Sequence, residues 1–470
     1  MSGVMHSHGR KRHGYAVCGL GPAGCGFLLH AIKENAIGDL VDDGLVLIDR
    51  STTPGPGKVG RYRLTGNSLS RAFLDCVDDP KLSWLMQDFC ASSPSVVELR
   101  TMEQLAPPLD VVGDFLTAVA KRTIDYLSSA YQVPVLLETA VDTIHRQVDG
   151  SFLLRLRDGS NSQRFDLVTD NVLCSFGGRQ PAKMIEQCEI HPGLRLGDHA
   201  ERIIPSDEFL MMSDHAVRQS IPLTSGEASD VLVVGGSHSA ISTIDRLTEA
   251  LGPMGLRRIV MLHRDPLRLY YASADEARRD GYAFDDPKDV CPMSGRINRF
   301  SGLRYRSFDV ARSILETGRT PDQSVEVVSV HLRGLSKEGR ATLENSLKRS
   351  SAVVTCLGYQ ANLPRVVDHW DREIMFRNQY GGLDVDACGC ALTIDRQSVS
   401  GLYVYGIGSR LLKRSEAIGG EPSFRGSADG VWLYHNHGGS VILNALGKAA
   451  SNGIDRPVRT QRDVDRANYA

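Results

Sequence analysis

The chain has 470 residues, of which 41% are apolar and 23% are charged, and its formal net charge is −2. This length exceeds what one hydrophobic core supports and predicts a globular protein of two or three domains. A nearly neutral chain without a basic stripe is not expected to bind nucleic acid. No apolar run reaches the roughly 18 residues of a membrane span, and the N-terminus lacks the apolar core of a signal peptide. We therefore expect a cytoplasmic protein without a membrane partner, whose ten scattered cysteines are buried, reduced thiols.

Residues 1–14 contain histidines and basic residues but almost nothing to bury. Such a composition predicts a disordered tail. The alternative is a metal-binding role for the histidines.

A glycine-rich turn follows the first predicted strand, at 15–18, and precedes a helix and a second apolar strand. Gly19 would make a tight turn, Gly21 would let the backbone approach a pyrophosphate, and Gly24 would let helix and strand pack closely. The helix N-terminus would offer free N–H groups to the phosphates, and Asp49, at the end of the second strand, would bind a ribose. This order of elements predicts a dinucleotide site, the alternative being a glycine-rich turn without a ligand. The predicted contacts are Gly19, Gly21, Pro22, Ala23, Gly24, Asp49 and Arg50.

The segments that follow change from a loop to a helical pattern and then to strand patterns. A loop rich in glycine and proline, at 53–60, leaves the sheet edge where ligands bind in such folds. Residues 110–132 have helical spacing, and residues 133–157 read as a small antiparallel meander. An apolar strand at 171–176 then ends at Gly177 and Gly178.

The opening pattern returns at residue 230. A buried strand at 230–234 leads into a second glycine turn, a helix at 241–250 and a strand that ends at His263 and Arg264. A second dinucleotide domain explains this order; the alternative is a parallel unit with an ordinary turn. Arg264 stands where an acid would suit a free ribose hydroxyl, which favours a 2′-phosphate and hence NADPH. The predicted contacts are Gly235, Gly236, Ser237, His238, Ser239 and Arg264.

Two later strands also end in glycines. The strand at 351–356 ends at Gly358, and the strand at 401–405 ends at Gly406 and Gly408. Both ends are predicted to face a bound cofactor. His435 and His437 follow, but no third ligand of suitable spacing stands near them, so we expect no metal site.

Two glycine turns, a glycine-ended strand after each and a closing Gly-x-Gly strand resemble the two-dinucleotide-domain flavoproteins of the glutathione-reductase-like fold. The resemblance spans residues 15–446. It implies an α/β fold of two Rossmann-like domains, with FAD in the first and NAD(P)H in the second, which is inserted into the first. The implied limits are 15–228 for the first part of the FAD domain, 229–349 for the NAD(P)H domain and 350–470 for the return segment.

The resemblance also implies roles at the strand ends. Gly177 and Gly358 would end the two strands that connect the domains, and the strand ending at Gly408 would close over the ribityl chain of FAD. The family usually has Asp where this chain has Ile407, so a flavin contact there must come from the backbone or from Ser409.

Two polar residues in the loop after the second strand have two interpretations. Asn67 and Ser68 are candidates for contact with the flavin. The alternative is that one of them caps the N-terminus of a helix.

The spacing of the cysteines indicates which members of this family the chain resembles. Dithiol reductases of this fold carry Cys-x4-Cys or Cys-x2-Cys beside the flavin, and the sequence has neither. Cys388 and Cys390 form the only close pair, which we interpret as bystanders, with a redox role as the alternative. The second glycine turn and the insertion at 269–308 look most like the class B monooxygenases, especially the N-hydroxylating branch. The Baeyer–Villiger signature is absent.

We therefore predict an FAD-dependent, NADPH-using monooxygenase that acts on oxygen and a small molecule. Two alternatives stay open: an NAD(P)H-dependent flavin reductase that does not oxygenate, and a flavoprotein that senses nicotinamide redox state. The sequence identifies no catalytic residue, substrate or oligomeric state.

Overall fold

The computed structural model describes residues 12–223, 230–379, 381–412 and 418–451. The first strand, β1, spans Arg12–Cys18 and so begins inside the predicted tail. Arg12 donates hydrogen bonds to Asp170 at 2.7 Å and to Asp149 at 3.0 Å, and His13 is buried. The prediction of a tail was wrong for residues 12–14, because the acids that pair with Arg12 lie far along the chain. The rest of the predicted tail lies outside the described residues.

The predicted strands and helices are present, although β6 begins at Arg164 and not at the predicted residue 171, and the structure contains further elements that were not predicted. In chain order, the strands of the described residues are β1 (Arg12–Cys18), β2 (Leu45–Ile48), β3 (Val135–Leu136), β4 (Thr139–Arg146), β5 (Phe152–Asp158), β6 (Arg164–Cys174), β7 (Gly178–Arg179), β8 (Glu189–His191), β9 (Leu194–Arg195), β10 (Ile203–Pro205), β11 (Asp230–Val234), β12 (Arg258–His263), β13 (Glu326–His331), β14 (Ser350–Thr355), β15 (Gln360–Ala361), β16 (Arg365–Val367), β17 (Asn378–Gln379), β18 (Gly382–Leu383), β19 (Cys390–Leu392) and β20 (Ser398–Val404).

The α-helices of the same residues are α1 (Pro22–Lys33), α2 (Ile37–Asp42), α3 (Ser70–Leu74), α4 (Ser83–Ser92), α5 (Pro94–Thr101), α6 (Leu109–Tyr131), α7 (Ala182–Glu186), α8 (Ser206–Phe209), α9 (Asp214–Ser220), α10 (His238–Leu251), α11 (Ala274–Arg279), α12 (Asp286–Asp289), α13 (Arg306–Thr317), α14 (Lys337–Arg349), α15 (Val431–Leu433) and α16 (Gly439–Ser451). A π-helical turn at Tyr434–Gly438 joins α15 to α16.

The larger sheet is built around β1. β1 runs parallel to β2 on one side and to β6 on the other, so that Val17 lies opposite Leu47 and Leu173. β20 adds in parallel on the far side of β6. β4, β5 and β6 form an antiparallel meander, but β3, which was predicted to belong to it, pairs in parallel with β2 instead. The carboxyl ends of β1, β2, β6 and β20 therefore meet at one edge, where ligands of such sheets bind.

The smaller sheet is wholly parallel and has the order β10-β14-β11-β12-β13 among the described residues. β10 and β14 belong to it, although residues 203–205 and 350–355 fall inside the predicted FAD-domain segments. The domain limits stay a prediction, and these two strands favour limits near residues 203 and 356. The prediction of an α/β fold with two Rossmann-like sheets is confirmed.

Backbone contacts between glycines fix the loop after β2 against α6. A Cβ on Gly113 of α6 would lie 2.3 Å from Gly60 Cα, and one on Gly55 would lie 2.2 Å from the Leu116 carbonyl oxygen. No side chain fits into such spaces, so only glycine permits this approach. Since the loop at 53–68 runs from the edge of the larger sheet, its position decides what faces that edge.

Each helix within the described ranges is too short or too polar to cross a membrane.

Candidate active site

A cavity of about 1600 Å³ lies between the two sheets. It exceeds the roughly 300–1,000 Å³ of a typical small-molecule site and therefore has room for more than one ligand. The predicted site residues that line it are Gly19, Gly21, Pro22, Ala23, Asp49, Arg50, Asn67, Ser68, Gly177, His238 and Ser239. The remaining predicted site residues do not line it; they are Gly24, Gly235, Gly236, Ser237, Arg264, Gly358, Gly408 and Ser409.

The three glycines of the first turn differ in what surrounds them. A Cβ on Gly19, whose φ is +96°, would lie 2.3 Å from the Ser175 carbonyl oxygen, and one on Gly24 would lie 2.0 Å from the Gly19 carbonyl oxygen. A Cβ on Gly21 would meet nothing closer than Gly57 Cα, at 3.9 Å, and Gly21 faces the cavity. Gly19 and Gly24 therefore serve packing, whereas Gly21 leaves a cradle at the N-terminus of α1. This arrangement fits a pyrophosphate.

Asp49 ties the end of β2 to the glycine turn. Its carboxylate accepts hydrogen bonds from the backbone N–H of Leu20 and, at 2.7 Å, from that of Ser51. Burial raises the pKa of this carboxyl above its usual value, although the two backbone donors oppose the shift. Asp49 lines the cavity, and each of its carboxylate oxygens has a lone pair left. It can therefore still accept hydrogen bonds from the hydroxyl groups of a ribose.

The second turn is packed like the first. A Cβ on Gly235 would lie 2.7 Å from the Cys356 carbonyl oxygen, and one on Gly236 would lie 2.9 Å from His263 Cβ. α10 then begins at His238, whose Nε2 is buried without a hydrogen-bond partner among the described residues. Burial first, and the charge of Arg304 second, lower the pKa of His238 to about 4. His238 is thus a neutral ring that lines the cavity with an unused nitrogen.

Arg264 lies where the sequence predicted it, directly after β12. It is exposed, and within the described residues no carboxylate lies within 4 Å of its guanidinium. Its carbonyl accepts a hydrogen bond from His331 Nε2 at 2.8 Å, which fixes the backbone at the strand end. The neighbouring Arg333 pairs instead with Asp265, at 3.1 Å.

Asn67 and Ser68 face the cavity and do not cap a helix. α3 begins at Ser70, its N-cap is Leu69, and no side chain donates or accepts at that cap. The N-cap interpretation was therefore wrong, because the N-cap is Leu69, which follows both residues in the chain. Contact of Asn67 and Ser68 with the flavin stays a prediction.

Gly358 and Gly408, which follow β14 and β20, make contacts within the protein and do not line the cavity. Gly358, at φ +80°, accepts a hydrogen bond from Gln180 through its carbonyl, and a Cβ on Gly408 would lie 2.3 Å from the Ala361 nitrogen. Ser409 Oγ donates to the Val404 carbonyl oxygen at 2.8 Å. This hydroxyl already has a partner inside the loop. A flavin contact is therefore better provided by the backbone of Gly406 and Ile407, which line the cavity.

A buried carboxylate joins the two sheets across the cavity wall. Asp207 is 7% exposed and accepts hydrogen bonds from Lys58 Nζ, Tyr62 OH and, at 3.2 Å, Tyr359 OH. Lys58 and Tyr62 come from the loop after β2, Asp207 from α8, and Tyr359 from the segment after β14. Burial, together with Asp207, raises the pKa of both tyrosines, so they stay protonated. Sequence reasoning missed this cluster, because Asp207 stands in a polar segment without a motif.

Asp429 is a second acid that sequence reasoning missed. Asp429 is exposed and lines the cavity, and its carboxylate accepts a hydrogen bond from Tyr434 OH at 2.9 Å. Desolvation by the protein around it raises the pKa of this carboxyl to about 7, against the lowering effect of Tyr434. Such a carboxyl can take up and release a proton near neutral pH.

The two cysteines predicted to be bystanders differ in exposure. Cys390 is buried, whereas Cys388 is exposed, so the expectation that the cysteines are buried was wrong for Cys388; both are free thiols. Burial raises the pKa of Cys390 to about 11, which leaves little thiolate for exchange. His435 is buried, and burial lowers its pKa to about 4. Across the described ranges, no three histidine, cysteine or acidic residues cluster to hold a metal ion.

The first turn allows folding to be separated from cofactor binding. Gly21→Val adds bulk only toward the cavity, so we expect a folded protein that loses FAD. Gly24→Ala pushes against the Gly19 carbonyl and should cost ~1–3 kcal/mol of stability through overpacking. Flavin absorbance per protein and thermal unfolding of the apoprotein measure the two effects. Full FAD occupancy in Gly21→Val would show that this turn is not the pyrophosphate site.

No protein-family model matches the sequence. The CMP-5'-(3-aminopropyl)phosphonate hydroxylase of Streptomyces rubellomurinus is 34% identical over 445 residues, which cover 92% of this chain and 96% of that protein.

Solved structures share the fold at low identity. Reduced ornithine hydroxylase from Pseudomonas aeruginosa superimposes with a TM-score of 0.55 at 12% identity, covering 94% of this chain and all of that one. The FAD-bound cadaverine monooxygenase of Erwinia amylovora gives 0.53 at 13% identity, covering 96% and 98%. The ornithine N-hydroxylase of Kutzneria sp. 744 gives 0.51 at 14% identity, covering 93% and 100%. The solved structures confirm the predicted fold. The chain belongs to the family of the Streptomyces hydroxylase, and the prediction of a class B flavoprotein monooxygenase is confirmed.

Proposed function

We propose that the protein hydroxylates the primary amine of an aminoalkylphosphonate linked to CMP or to a similar nucleotide. The protein is an FAD-dependent, NADPH-using monooxygenase that acts on a small molecule, as its family indicates. The observation that carries the finer proposal is the 34% identity with a hydroxylase whose name states such a substrate, over 96% of that protein's length.

The walls of the cavity fit the two cofactors. Gly21 and the N-terminus of α1 would hold the FAD pyrophosphate, with Asp49 at the ribose. His238 and Ser239 at the start of α10 would face NADPH, with Arg264 at its 2′-phosphate. When bound, FAD accepts a hydride from NADPH and activates oxygen for transfer to a nucleophile.

The chain itself supplies positions and protons. Tyr62 and Tyr359, held protonated by Asp207, line the wall between the cofactor sites. Asp429 is the acid best placed to handle a proton, since an alkylamine must lose its proton before it can act as a nucleophile. We propose that Asp429 Oδ accepts the proton of the substrate ammonium group.

We expect the purified protein to consume NADPH, oxygen and CMP-5'-(3-aminopropyl)phosphonate and to place labelled oxygen in the product. Free ornithine should be turned over at least ~100-fold less efficiently, because it lacks the charged nucleotide. Mass spectrometry of the product made under labelled oxygen gas measures this. Undiminished turnover without oxygen would instead establish the reductase alternative.

The thiols offer a control for that experiment. The double variant Cys388→Ser, Cys390→Ser should keep both flavin reduction and turnover. A reductase that works through these thiols would keep a flavin that NADPH reduces but would lose turnover.

If Arg264 binds the 2′-phosphate, its removal should change the KM for NADPH but not the KM for NADH. Arg264→Ala would remove a charge-assisted contact of ~1.5–3 kcal/mol and raise the KM for NADPH by ~10–100-fold, with little change for NADH. Arg333→Ala, whose guanidinium already pairs with Asp265, is the matched control. Equal losses with both cofactors would show that Arg264 is structural.

The role of Asp429 predicts a pH dependence. A carboxyl with a pKa near 7 is protonated, and so unable to accept a proton, at lower pH, so kcat should fall as the pH drops below about 7. Asp429→Asn should lower kcat and abolish this acidic limb, whereas flavin reduction by NADPH should persist. An unchanged limb in the variant would assign the titration to another group.

A further inference from the structure

The insertion between β12 and α13 forms one wall of the cavity. Its lining residues include Tyr270, Arg296, Arg299, Arg304 and Tyr305. The wall is held by backbone hydrogen bonds, from Leu303 N to Arg268 O at 2.7 Å and from Tyr270 N to Leu303 O at 3.0 Å. It is thus a built surface and not a loose loop.

Three arginines of this wall have no ion-pair partner in the part of the chain that the structure describes. No carboxylate of the described residues lies within 4 Å of the guanidinium groups of Arg296, Arg299 or Arg304, whereas neighbouring arginines of the insertion and of α13 are paired. Glu421 is completely buried nearby, but it accepts hydrogen bonds from the backbone of Phe300 and Ser301. The wall therefore presents net positive charge to the cavity.

Arg304 is held in place although its surroundings disfavour its charge. Burial, and further the charge of Arg296, lower the pKa of Arg304. Its guanidinium stacks on the Tyr270 ring, 4.2 Å from the ring centroid, and donates to the Arg299 carbonyl oxygen. Tyr305, next in the chain, has φ +50° and ψ −128°, a strained backbone that persists only where the surroundings enforce it. A partly desolvated guanidinium held in this way, with the exposed Arg296 near enough to lower its pKa, is complementary to an anion.

We propose that Arg296 and Arg304 form the subsite that binds the phosphonate and phosphate oxygens of the substrate. The inference rests on the proposed function and deepens it by naming residues that select a phosphorus-containing amine. A guanidinium matches two oxygens of a phosphonate or phosphate at once, a contact that a free diamine could not provide. Tyr270 and Tyr305 act as positioning residues for Arg304.

NADPH is the competing ligand, because it also carries phosphates and because Arg304 lies close enough to His238 to affect its pKa. The two ligands make different demands on the wall. A cofactor role requires the arginines for flavin reduction in the absence of substrate, whereas a substrate role does not.

The test compares Arg304→Gln and Arg296→Gln with Arg312→Gln, a control on α13 whose guanidinium already pairs with Asp280 and Glu316. Each of the first two variants should raise the KM for CMP-5'-(3-aminopropyl)phosphonate by ~10–100-fold, the size of one lost charge-assisted contact. The KM for NADPH and the anaerobic rate of flavin reduction should stay within about twofold of wild type by the same scale. Arg304→Lys should recover part of the loss, which a role in packing alone would not predict.

A rise in the KM for NADPH with an unchanged KM for the substrate would overturn the proposal and assign the wall to the cofactor. Direct binding of CMP and of 3-aminopropylphosphonate, measured by calorimetry with the NADP-loaded holoenzyme, separates the subsite from the reaction. If wild type binds these probes and Arg304→Gln does not, the subsite stands even when the amine is not hydroxylated. If wild type binds neither probe, the subsite is refuted whatever the enzyme hydroxylates.

Discussion

The structure depends on backbone contact at the end of β1. Gly19 lies against the Ser175 carbonyl, and Gly24 lies against the Gly19 carbonyl, so closely that a Cβ at either position would overlap backbone atoms. This contact sets α1 directly on the sheet and aims its N-terminus at the cavity. Since Asp49 binds the backbone of Leu20 in the same turn, the carboxyl ends of β1 and β2 form one unit. A larger residue at either glycine would displace the helix and the acid together.

Close contact between a glycine and a neighbouring strand end also occurs at the smaller sheet, where it positions other elements. Gly235 packs against Cys356 at the end of β14, which brings α10 and the segment containing Tyr359 to the same cavity. Asp207 then connects that segment to Lys58 and Tyr62 of the loop after β2. A buried carboxylate is costly unless its partners stay in place, so this cluster resists separation of the two sheets. The two glycine turns proposed to bind the cofactors are thereby held at one cavity.

The charged residues around the cavity fall into two groups, those paired within the protein and those with few or no partners. The cluster at Asp207 is satisfied internally and serves geometry. The wall of Arg296 and Arg304 lacks such partners among the described residues, and Asp429 has only Tyr434. Unsatisfied charge is expensive in a cavity and is retained where a ligand completes it. An amine linked to a phosphorus anion carries the complementary charges.

The sequence by itself determined the fold and the places of the two dinucleotide turns, because period, glycine spacing and strand ends are local properties of the chain. It also located Asp49, Asn67 and His238 at the cavity, since strand and helix ends of a parallel sheet share one edge. The motif assigned different roles to Gly21 and Gly24, but it could not show which atoms surround them: the Gly19 carbonyl that closes Gly24 and the open space beside Gly21 depend on contacts through space. Arg12, Asp207, Arg304 and Asp429 acquire their partners from segments remote in the chain. Only the tertiary structure decided which charges are neutralised by the protein and which are left for a ligand.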